Sequence, residues 1–82
     1  MIYCKISPTE FPIKIYQSQN NLVQEIKTDI DGVVPSILNI WVQEEPIVIG
    51  GPINLVSYYI DLINKQLPNK YAIHEGEYNN HV

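Results

Sequence analysis

The sequence predicts an α+β fold, a small two-layer sandwich of four or five strands with two helices. Three observations carry this. Short apolar runs rich in β-branched residues, at 1–6, 11–16, 37–42 and 47–49, read as strands. One long stretch, 53–67, spreads Leu55, Val56, Tyr59, Ile60, Leu62, Ile63 and Leu67 over about half a helical circumference. Proline and glycine punctuate the intervals, at Pro8, Gly32, Pro46, Gly50-Gly51 and Pro68.

Each element has its own local reason. In 1–6, Ile2, Cys4 and Ile6 alternate against Tyr3 and Lys5, the pattern of a half-buried strand. Residues 7–10 form a turn, and 11–16 form a second strand flanked by prolines. Asn20 or Asn21 caps a helix reaching about residue 31, because Asn21 and Gln24 approximate a capping box. Leu22, Val23, Ile26 and Ile30 give that helix a narrow apolar stripe, and Gly32 is a natural residue to end it. Asp29 and Asp31 then fall at its C-terminal end, where the macrodipole disfavours negative charge.

The strand at 37–42 puts Leu38, Ile40 and Val42 on one face, and residues 43–46 make a polar turn of hairpin length. The all-apolar 47–49 suits a strand buried on both faces. Gly50-Gly51 stops it, and Pro52 sits where proline is tolerated, in a helix's first turn. Asp61 and Lys65 add an i,i+4 pair to the long helix, which Pro68 ends. A last edge strand is expected over 70–75, and a flexible tail over 76–82. The resulting order, β(β)αββαβ, resembles a ferredoxin-like sandwich with an extra N-terminal strand.

Eighty-two residues make one domain, 1–82, with 45% apolar and 17% charged residues, as a globular chain has. The net charge of −4, with five lysines and no arginine, argues against nucleic acid as a partner. No apolar run approaches the ~20 residues of a membrane span, and the N-terminus lacks the form of a signal peptide. A single cysteine excludes an internal disulfide and points to a reducing, cytoplasmic setting.

The central unit resembles the second half of a thioredoxin-like domain. There a Val/Ile/Thr-Pro pair, with the proline usually cis, starts a strand, and a hairpin, a glycine and the last helix follow. Here Val34-Pro35 leads to 36–42, 47–49, Gly50-Gly51 and the helix with Leu55 and Tyr59. The Gly-Gly resembles the one glutaredoxins place before their final helix. The resemblance implies a cis Val34-Pro35 bond and carries Pro35, Gly50 and Gly51 over as binding positions. There is no Cys-x-x-Cys, and only 34 residues precede Pro35. It therefore implies a truncated relative whose dithiol chemistry has gone.

Among single residues, Cys4 is the catalytic candidate only if the chain is a redox protein. Its place between Ile2 and Ile6 reads as an inert buried thiol. His74, Glu75, Glu77 and His81 offer donor atoms without the close spacing of a zinc site, so no metal is expected. Asp29-x-Asp31-Gly32 begins like a calcium loop, but Ile40 stands where the closing glutamate belongs. Gly50-Gly51 ahead of a helix could cradle an anion, or be a plain strand-to-helix turn. Trp41, alternating away from Leu38, Ile40 and Val42, is the candidate interface anchor, with Tyr58 extending the patch. The alternative for Trp41 is ordinary core. The expected function is a small acidic non-enzymatic protein-binding domain of adaptor or inhibitor type. It would need no cofactor, and would pair with another protein or with itself. The alternative is a thioredoxin- or glutaredoxin-like thiol redox or glutathione-binding protein.

Overall fold

Asn20 and Asn21 both take positive φ, 52° and 67°, the two-residue hairpin turn that asparagine tolerates better than most side chains. In the computed structural model, which describes residues 1–79, that turn joins β2 (Ile13–Gln19) to β3 (Leu22–Thr28). The register runs from Gln19 opposite Leu22 to Ile13 opposite Thr28. The helix expected over 21–31 is therefore a strand. Its stripe of Leu22, Val23 and Ile26 was compatible with either period, and the turn decided between them.

β1 (Ile2–Lys5) pairs antiparallel with β2, Tyr3 opposite Tyr16. After β3 the chain makes a 3₁₀ turn, Ile30–Gly32, which Asp29 caps by accepting the Gly32 N–H at 3.0 Å. It continues directly into helix α1 (Val33–Ile40). Asp29 and Asp31 thus stand at the start of a helical segment, where the dipole favours them. Pro35 lies in the first turn of α1, where no intrahelical bond needs its N–H. The strand expected over 37–42, and the hairpin built on it, are absent: Val33 and Ile37 are buried one helical turn apart. The Val34–Pro35 bond is not cis; among the described residues only Phe11–Pro12 is.

β4 (Ile47–Gly50) runs parallel to β1, with all four residues buried, as its unbroken apolar run predicts. Gly51 takes φ 126°, and a side chain there would strike the Ile6 carbonyl. Helix α2 (Ile53–Lys65) then leads to β5 (Ala72–His74), parallel to β4. A short helix, α3 (Glu75–Asn79), occupies the start of the expected tail, and 80–82 lie outside the described residues.

The five strands form one mixed sheet in the order β3-β2-β1-β4-β5. The class is α+β with five strands, as the sequence predicts. The element order is βββαβαβα rather than β(β)αββαβ, because one strand and one helix exchange places and α3 follows the last strand. One face of the sheet presents Ile2, Cys4, Ile13, Ile15, Ile47, Ile49 and Ala72, which form a single buried cluster with Val33 and Ile37 of α1 and Val56 and Ile63 of α2. The other face divides in two. α3 contacts the β4–β5 half, where Val48 is buried. The β1–β2–β3 half is open.

Candidate functional site

The open half-face is built by strand alternation. Tyr3 and Lys5 of β1 share it, as do Lys14 and Tyr16 of β2, and Glu25 and Lys27 of β3. Lys14 stands directly opposite Lys27. The β1–β2 register, continued one residue past Cys4 opposite Ile15, sets Lys5 opposite Lys14. Three of the five lysines in the chain thus form a row across three adjacent strands. Among the described residues none of the three has an ion-pair partner. Like charges placed opposite one another cost stability, and no side-chain ion pair among the described residues offsets that cost at this row.

Tyr3 and Tyr16 stand beside the lysines, and the 7–12 loop raises Phe11, 60% exposed, at one end. Together these six side chains line a cleft of about 570 Å³. That volume suits a small ligand or a few residues of a peptide. Glu10 is the one carboxylate on the wall. The floor is firm on the β4 side. The Tyr3 hydroxyl donates to the Glu75 carboxylate of α3 at 3.0 Å. Burial first, and then this carboxylate, pushes the phenol pKa up, so it stays a donor.

Elsewhere the structure assigns other tasks to residues singled out in the sequence. Cys4 is fully buried in β1, and burial pushes its thiol up to about 12. It offers no thiolate near neutrality, which argues against the redox alternative. Trp41 is not on a strand. It ends α1, donates its indole N–H to the Glu45 carbonyl at 2.8 Å, and rests against Tyr71 with ring centroids 5.2 Å apart. Tyr58 is 63% exposed on α2, edge-on to Tyr59. Trp41 precedes β4 and Gly50-Gly51 ends it, so strand length separates them.

At Gly50 the Glu75 carboxylate already stands where a side chain would begin. The Gly51 carbonyl lies 2.7 Å from His74 Nε2, while His74 Nδ1 accepts the Gly76 N–H. An Nε2–H tautomer satisfies both bonds. This corner is thus closed upon itself, which favours the plain turn over an anion cradle. Among the described residues no three His, Cys, Asp or Glu side chains gather as a metal site, and His81 lies outside them.

Sequence reasoning missed the lysine row. The period-two placement of Tyr3-x-Lys5 and Lys14-x-Tyr16 was readable, but pairing Lys14 with Lys27 required the hairpin turn at Asn20-Asn21. The class that fold and site define is an α+β domain with a half-open mixed sheet. Comparison with family models, curated proteins and solved structures returns no match. The thioredoxin-like relationship therefore gains neither support nor refutation from them, although Pro35 occupies a helix here. No helix among the described residues is long and apolar enough to cross a membrane.

Proposed function

We propose that the chain is a small non-enzymatic protein-binding domain, acting in the cytoplasm, whose open sheet face receives an acidic segment of a partner protein. The observation that carries this reading is the row Lys5, Lys14 and Lys27, without an ion-pair partner among the described residues, beside Tyr3, Tyr16 and Phe11. Three cations aligned across strands suit carboxylates spaced along an extended peptide, and the aromatic rings supply apolar contact between them. A net charge of −4 and the absence of arginine work against a long polyphosphate backbone, which favours protein over nucleic acid.

The test uses a labelled peptide of alternating glutamate and leucine, followed by amide chemical shifts and by fluorescence anisotropy. Shifts should concentrate at Tyr3, Lys14, Tyr16 and Lys27. Lys14→Glu should weaken binding by ~10-fold or more, as expected when a central charge of a complementary patch is reversed. Tighter binding of single-stranded oligothymidylate than of the peptide, or shifts centred on Trp41 and Tyr58, would overturn the reading.

A further inference from the structure

The two edges of the sheet are treated differently. On β5, the Asn64 side chain of α2 accepts the Ala72 N–H and donates to the Ala72 carbonyl, both at 2.9 Å. That edge is closed from within. At the other end of the sheet β3 runs for seven residues, with Leu22 and Val23 70% or more exposed. Among the described residues no side chain bonds the backbone of 22–27. A long uncovered edge of this kind is a template for another strand.

The direction of its free groups follows from β2. Ser18 donates its N–H to the Met1 carbonyl and accepts from the Met1 ammonium, so its backbone faces β1. Alternation then turns Gln17 and Ile15 toward β3, and their partners Gln24 and Ile26 toward β2. Val23, Glu25 and Lys27 therefore aim their backbone groups at the free edge.

We propose that β3 pairs antiparallel with β3 of a second copy, Ile26 opposite Ile26, so that Glu25 of each chain faces the partner's Lys27. Charge selects this register. Shifting it by two residues in one direction sets Glu25 opposite Glu25, and in the other Lys27 opposite Lys27. A one-residue shift mismatches the outward-facing groups and the faces. In the chosen register Glu25 and the partner's Lys27 exchange both backbone hydrogen bonds. The partner's Glu25 also supplies the carboxylate that Lys27, facing Lys14, lacks within its own chain. The product is a closed two-fold dimer with one continuous ten-stranded sheet. It rests on the β3 edge and not on the acidic-segment reading.

Charge exchange tests it. The wild-type chain should sediment as a concentration-dependent dimer. Glu25→Lys alone and Lys27→Glu alone should each dimerise at least ~10-fold more weakly, since each sets like charges opposite twice. An equimolar mixture of the two variants should form a heterodimer, because each unlike pair is then restored. Dimerisation of the wild type should also slow amide exchange at Glu25 and Lys27, with Gln24 and Ile26 protected in monomer and dimer alike. This second readout needs no variant. A wild-type chain that stays monomeric at several hundred micromolar overturns the proposal. So does a dimer indifferent to either substitution, or a mixture without heterodimer.

Discussion

Asn64 lies on the polar side of the helical arc in α2, yet its side chain completes both backbone hydrogen bonds of Ala72 at the sheet edge. Asn64→Ala should therefore cost ~1–3 kcal/mol, the penalty for stranding half-buried backbone groups. Asn54→Ala, exposed on the same helix, should stay within ~0.5 kcal/mol. Ile63 is fully buried, and Ile63→Ala should cost ~2–5 kcal/mol. Urea melts of the three variants check the ranking, and an Asn64→Ala variant as harmless as Asn54→Ala would remove the edge-closing role. Cys4 makes a prediction in pH. Unfolded, its thiol ionises near ~8.5; folded, it holds its proton to about 12. The unfolded state therefore releases the proton first. Stability is unaffected well below pH 8.5 and falls as pH rises from there toward 12. The slope approaches ~1.4 kcal/mol per pH unit. Tyr3, also shifted upward, adds to the loss above about pH 10 by the same argument. Cys4→Ala should flatten the decline between pH 9 and 10, read by chemical denaturation at each pH.

At the scale of elements, two segments exchanged their expected identities, and each contained the evidence against its first reading. The run 21–31 has apolar residues at helical spacing, but Asn20-Asn21 is a hairpin dipeptide, and the positive φ of both residues starts β3. The run 33–40 is rich in β-branched residues, but Val33, Ile37 and Trp41 recur every four positions. Asp29 and Asp31 were anomalous as the end of a helix and are ordinary as its beginning. Substitutions distinguish the alternatives by sign. Asp29→Ala should destabilise by ~0.5–2 kcal/mol, because it removes the bond to the Gly32 N–H. Had a helix ended there, the same change would have stabilised. Asn21→Val should cost ~1–2 kcal/mol at φ 67°, and Asn21→Gly should be neutral or stabilising. Thermal melts suffice for each.

At the scale of the molecule, charge is distributed against stability. Nine acids and five lysines leave the chain at −4, yet three of those lysines share one row of an open sheet face. Lys14→Glu turns two like-charge pairings, with Lys5 and with Lys27, into unlike ones. It should raise stability by ~0.2–1 kcal/mol while it lowers affinity for an acidic peptide. The gain should fade in high salt, since the groups are exposed. A Lys14→Glu variant that is less stable at low salt would show that the row is already compensated. The sequence alone determined the α+β class, the apolar β1, the doubly buried β4, the long helix α2 and the inert place of Cys4. Each of these rests on local spacing and on breakers within a few residues. The tertiary structure decided which of two short apolar runs became strand and which helix, because runs of about eight residues satisfy either period until a neighbour selects a face. It also decided the lysine row, the closed β5 edge and the open β3 edge. Those depend on register, and register joins residues far apart in the chain through hydrogen bonds that no local pattern records.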